Sequence, residues 1–238
     1  MRPKARQSIA LGTFVLVVTL GAWWQTQAED AKAPYLSMAP IDQYLMADRN
    51  AEVALARSAA PESISRDAKV MVLGRHGYET AIEGKNGFVC VVERGWMAGF
   101  DQPEFWNPKI RGPNCLNPAA ARSILPFTLK RTELVLNGLS KPQLIDGIKS
   151  AIEKKELPNL EPGAMCYMMS KLQFLGDQGG HWAPHLMFYV PQTEPAAWGS
   201  DLPGSPVLHL PQFQGRPEPI TVFMVPVRKW SDGTAFVM

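Results

Sequence analysis

The chain has 238 residues, 46% of them hydrophobic, and its 24 Lys and Arg against 22 Asp and Glu give a formal net charge of +2. That balance excludes a bulk electrostatic attraction to nucleic acid or anionic lipid. A chain of this length can bury one large core or two small ones, and its 21 Pro and 19 Gly call for many turns.

Arg2, Lys4 and Arg6 precede an apolar run from Ile9 to Trp24, and Thr26 and Ala28 place small residues just before Glu29. This is the layout of a secretory signal peptide over residues 1–28, predicting export to the periplasm or beyond. An uncleaved anchor is the competing reading, but the run is short for a span of ~20 residues. No Cys follows the expected cut, which argues against a lipid anchor. Removing the three basic residues leaves 21 basic against 22 acidic side chains, so residues 29–238 form a near-neutral domain with no integral membrane span expected. There is no internal repeat or low-complexity tract.

Pro40 to Ala60 reads as a helix, with Asp42 at its positive end and Pro61 as its stop. Tyr44, Ala47, Ala51, Ala54, Leu55 and Ser58 form a stripe of mostly small residues that can lie close against a sheet. From Ala68 to Arg94 three β-rich runs are joined by Gly74-Arg75-His76-Gly77 and Lys85-Asn86-Gly87, predicting a three-stranded meander with tight turns. Gly84-Lys85 is not a phosphate loop, because the Gly spacing, the following Ser or Thr and the helix are all missing.

Residues 95–117 read as an irregular loop carrying Trp96, Phe100, Phe105 and Trp106. Such a loop either packs over a core or holds a ligand or partner. The absence of interleaved basic residues argues against nucleic acid. Asn117-Pro118 then starts a helix to Leu136, bent at Pro126 and ended by Asn137-Gly138. Ser140 and Gln143 have capping-box spacing for the next helix, making a helical hairpin. Met165–Ser170, His185–Val190, Val207–Leu210 and Thr221–Arg228 are the C-terminal strands, the last one at an edge or broken at Pro226. The expected class is α+β, with a mainly antiparallel sheet packed with an N-terminal helix and the central hairpin.

Three cysteines in an exported chain allow one internal bridge. Cys90 with Cys115 is the preferred pair, leaving Cys166 as a buried small hydrophobe. The histidines are His76, His181, His185 and His209, and Gly179-Gly180-His181-Trp182-Ala183-Pro184-His185 is the most site-like stretch. His181 and His185 are candidate metal ligands if the loop folds back, with His76 or Asp177 as a third. His185 is also the candidate acid–base group, and the bland alternative is that all these histidines are structural. No Gly-x-Ser-x-Gly elbow or dinucleotide fingerprint is present, and the sequence names no cofactor.

Ala59-Ala60-Pro61 leading into Ala68–Arg94, with Asn86-Gly87-Phe88 and Cys90, resembles a family of exported bacterial proteins of unknown function. Pro184-His185-Leu186-Met187-Phe188-Tyr189 and Arg228-Lys229-Trp230-Ser231-Asp232-Gly233 look similar too. The resemblance implies export and a single domain over most of the chain, and no activity. The leading expectation is a non-enzymatic envelope module that binds a small molecule or an envelope protein. Its expected patch is Trp96, Phe105, Trp106 and Trp182. The alternative is a hydrolytic or metal-dependent enzyme using His185 with His181 or His76.

Overall fold

The computed structural model of the chain describes residues 35–210 and 216–237, so the signal peptide expected over 1–28 lies outside the described residues. Among the described residues one eight-stranded sheet is formed by β1 (Lys69–Gly74), β2 (Gly77–Ile82), β3 (Val89–Glu93), β4 (Gly112–Leu116), β5 (Met165–Met168), β6 (His185–Pro191), β7 (Leu208–His209) and β8 (Ile220–Pro226). Their order is β2-β1-β3-β4-β5-β6-β8-β7. Only β1 and β3 run parallel. With α1 (Arg49–Arg57), α2 (Glu62–Ser65), α3 (Pro118–Ser123), α4 (Leu125–Leu136) and α5 (Lys141–Glu153), the class is α+β with a mostly antiparallel sheet.

The N-terminal strands do not form the expected meander. β1 and β2 make a hairpin, but β3 lies on the far side of β1 and parallel to it. The connection after β2 therefore crosses the start of β1, and Lys85 N–H donates to Asp67 O at 2.7 Å on the way. Gly84 makes this crossing possible. A Cβ there would stand 2.1 Å from Lys69 N and 2.8 Å from Ala68 C, so no side chain fits. Asn86-Gly87 thus serves the end of a crossover, not a hairpin turn.

A second departure is β4, which sits mid-sheet where a loop was expected. Gly112, Pro113 and Asn114 are all poor strand formers, yet every residue of Gly112–Leu116 is buried. Pairing with β3 overrides propensity here, and the Cys90–Cys115 disulfide joins directly opposed residues of the two strands. Of the two readings of the last strand, the break at Pro226 holds, since β8 ends there, and the edge does not, since β8 lies between β6 and β7.

The N-terminal helix starts later than the sequence suggested. Asp48 caps it, accepting from Asn50 N–H at 2.8 Å, and Tyr44 lies before it with its side chain buried. The buried face is Glu52, Leu55 and Ala56, not Ala51 and Ala54. This face packs with Ala59, Val70, Cys90, Val92 and Cys115 on one side of the sheet. The helical hairpin forms as expected, with the chain broken at Ile124 just before Pro126, and Gln143 accepting from the Ser140 N–H at 2.9 Å. Gly138, at φ 79°, ends α4 in the left-handed region.

The opposite sheet face packs Val89, Val91, Leu116, Cys166, Met168, Met187, Tyr189 and Val222 under α3 and α4. A third cluster joins Tyr44, Leu73, Trp96, Phe105, Trp106, Val135 and Leu144. The aromatic loop is therefore core. Trp96 and Phe105 are fully buried and Trp106 nearly so, which removes them from the expected ligand or partner patch. The indole of Trp96 donates to Thr132 Oγ1 at 3.0 Å, and Tyr44 Oη donates to Trp106 O at 2.8 Å, so the polar ends of these rings are satisfied inside.

Candidate functional site

The structure separates the histidines. His76 is exposed in the β1–β2 turn, and His185 begins β6, four strand spacings or roughly 19 Å across the sheet. His181 is exposed, its ring edge-on to Trp230 at 5.6 Å. His185 is buried, 1% exposed, with Trp182 against it at 5.9 Å between ring centroids. Of the expected patch only Trp182 remains accessible, at 39%. Asp177 bonds Tyr35 Oη and Lys109 Nζ instead of facing a histidine. No group of three or more His, Cys, Asp or Glu among the described residues is gathered to hold a metal ion.

The polar centre lies elsewhere, on the sheet face beneath α4. Alternation along β3 places Glu93 on the same face as Val89 and Val91, and Asn114 lies opposite Val91 on β4. From α4, Thr128 and Arg131 point down between Leu125 and Val135. From the segment leading into β8 come Arg216 and Glu218. Arg131 is fully buried, donates to Glu218 Oε1 at 2.6 Å and to Trp96 O and Ala98 O at 3.2 Å each, and lies 4.5 Å from the centre of the Phe100 ring. Arg216 donates to Met97 O.

Electrostatics sort the two carboxyl groups. Burial pushes Glu93 up to about 6, although Arg216, Asn114, Arg131 and Thr128 pull the other way. Burial acts against ionised Glu218 too, but Arg131 and Arg216 outweigh it and hold that carboxyl below its ordinary value. Below them burial pushes the Cys166 thiol up to about 12 and the Tyr189 phenol well above its usual range. The two touch, Sγ to Oη, at 3.2 Å.

Asn114 lies against Glu93, Cys166 and Tyr189, and Thr128 against Glu93, yet both amide atoms of Asn114 and Thr128 Oγ1, like Arg131 Nε and Glu218 Oε2, are enclosed without closing a hydrogen bond of ordinary geometry. Asn114 is 0% exposed and Glu93 beside it is half-buried as a residue, its carboxyl enclosed within the cluster. A cleft of about 620 Å³ lined by residues 192–195, His209 and residues 216–222 meets this polar cluster at Arg216 and Glu218.

None of these residues stood out as a motif, but a signal existed. Glu52 falls in the buried stripe with Leu55, Ala56 and Ala59, and Arg131 falls between Thr128 and Val135, each a charge at core spacing on its helix. Glu93 continues the alternation of Val89 and Val91. A charge in an apolar register demands a buried partner. Glu52 finds Arg94, 2.8 Å away and fully buried. No family model, curated protein or solved structure matches this chain.

Proposed function

We propose that the chain is an exported, non-enzymatic binding module of the envelope, taking a small polar ligand at the polar cluster of Glu93, Asn114, Arg131 and Arg216, entered from the adjoining cleft. Asn114 carries the reading. A fully enclosed amide with both polar atoms unclosed is rare in native proteins and is what a ligand or bound water would complete. Two guanidinium and two carboxyl groups around one space suit a small zwitterion such as a free amino acid. The Cys90–Cys115 bond supports an oxidising compartment. A thiol held protonated at Cys166 and an imidazole enclosed at His185 supply no activated nucleophile, which favours binding over catalysis.

A panel of free amino acids added to the purified protein, read by thermal unfolding, tests this. A true ligand at 100 times its Kd adds about 2.7 kcal/mol, a rise of roughly 5–11 °C for a domain of this size. The rise disappears in Asn114→Leu. No shift with any member, or equal shifts in the variant, rejects the reading. One observation favours an enzyme instead. Glu93 and Glu218 are driven in opposite directions, the pattern of an acid–base pair. Turnover of a bound amino acid derivative lost in Glu93→Gln would select that reading. Catalysis by His185 with His181 or His76 has less support, given the separation of the three.

A further inference from the structure

Four donors occupy a two-by-two patch on the helix-covered face of β5 and β6. Cys166 stands opposite Met187, and Met168 opposite His185, in the antiparallel register. Residues two apart along a strand share a face, and Cys166, Met168 and Met187 belong to one packed cluster there. His185 is two residues before Met187 and completes the square. All four are buried, none more than 6% exposed. Directly opposed Cα atoms lie about 4.5–5.5 Å apart. The Met168 methyl lies toward β4, 3.7 Å from where a Cβ on Gly112 would stand, so ligation requires this flexible thioether to turn back over β5 toward the imidazole.

The imidazole is set for ligation. His185 Nδ1 lies 2.7 Å from Ala183 O, and since a carbonyl only accepts, Nδ1 carries the proton. The lone pair is then on Nε2, which is buried and has no hydrogen-bond partner. Metal-bound histidines are held this way, the second nitrogen donating to a backbone carbonyl while the first faces the ion. Cys166 Sγ is engaged with Tyr189 Oη at 3.2 Å and is left out of the donor set. One imidazole nitrogen and two thioethers make a neutral, soft donor set. Hard divalent cations find no oxygen ligands in it, whereas copper(I) is the ion that thioethers select.

We infer that His185 Nε2 and the sulfurs of Met168 and Met187 form a binding site for a soft monovalent cation, copper(I). The site borders the polar cluster through Cys166 but uses none of its charged residues, so it stands or falls apart from the binding reading above.

Silver(I), a redox-silent stand-in for copper(I), tests the site in chloride-free buffer with the disulfide-intact protein. Native mass spectrometry reads stoichiometry, and the methyl resonances of the methionines report the donors. One silver ion per chain is expected, with shifts at Met168 and Met187. The volume-conserving variant Met168→Leu/Met187→Leu should lose more than the roughly 10–100-fold in affinity that a change outside the ligand shell can cost. Cys166→Ala should bind as wild type does. No bound silver, binding unchanged in the methionine variant, or binding lost only in Cys166→Ala overturns the proposal. Should the double variant not fold, the wild-type shifts decide. Shifts at Met168 and Met187 uphold the site, and shifts confined to other methionines reject it.

Discussion

Replacing Glu52 by Leu removes one half of a fully buried ion pair, and its cost can be worked from the contacts. Arg94 donates from Nε to Tyr44 O at 2.8 Å, from Nη2 to Glu52 Oε1 at 2.8 Å, and from Nη1 to Val92 O. Glu52 Oε1 also accepts from Leu73 N–H at 3.1 Å. Without the carboxylate a guanidinium with 0% exposure keeps its charge but loses its counter-ion, which costs about 3–5 kcal/mol. The stranded Leu73 N–H adds about 1–3 kcal/mol. Because the two share one oxygen they do not add fully, and a loss of about 4–6 kcal/mol is expected. In thermal unfolding that is a drop of roughly 10–20 °C. Urea unfolding followed by circular dichroism measures it, alongside Glu52→Leu/Arg94→Met. The double variant replaces both charges with apolar groups and should recover most of the loss. A single variant losing under about 1 kcal/mol, or a double variant no better than the single, would refute the reasoning.

Three further outcomes follow from the same geometry. Gly84→Ala should prevent native folding or cost several kcal/mol, because its Cβ would meet backbone at 2.1 Å and backbone cannot yield; normal expression with an unchanged denaturation midpoint would contradict the crossing. Reducing Cys90–Cys115, which closes a loop with a sequence separation of 25, should cost about 3.5 kcal/mol on the chain-entropy estimate, and equal midpoints with and without reductant would count against it. Glu93 has a folded-state pKa raised to about 6, so the folded protein holds this proton more tightly than the unfolded chain. Its contribution is most favourable below about pH 4.5 and is lost as pH rises through 6, by at most about 2 kcal/mol. Glu93→Gln should therefore gain on wild type across that window, and parallel stability–pH curves would show the carboxyl is not perturbed.

How much of this was legible in the sequence depended on whether the signal was local. The helical hairpin could be read because its caps are local, with Asn117, Gly138 and the Ser140–Gln143 box each acting within a few residues. The odd cysteine count allows one internal bridge, and Cys90–Cys115 is preferred because it ties the aromatic loop back to the N-terminal strands. The β2-β1-β3 order could not, since Asn86-Gly87 signals a tight turn equally well in a hairpin or a crossover. The distinguishing fact is the approach of Gly84 to Lys69, which is tertiary. β4 was hidden because Gly112, Pro113 and Asn114 contradict strand propensity, and pairing on both sides decides. The aromatic loop could be read either as core or as a ligand-holding surface, and the packed reading holds because Trp96 and Tyr44 find internal acceptors. The candidate site assembles from β3, β4, α4 and the approach to β8, so no sequence window contains it. The charges at apolar register positions were its one local trace.

The central claim is that the polar cluster at Asn114 is completed by a bound molecule and is not a closed structural network. Native mass spectrometry of wild type and Asn114→Leu, gently desalted after purification, tests it most directly. The account predicts extra mass on the wild type that is released on unfolding, and an Asn114→Leu chain that folds with similar stability but carries none. A wild type at the bare chain mass, together with an Asn114→Leu chain more stable than wild type, would contradict it and leave the polar cluster as a latch between α4 and β8.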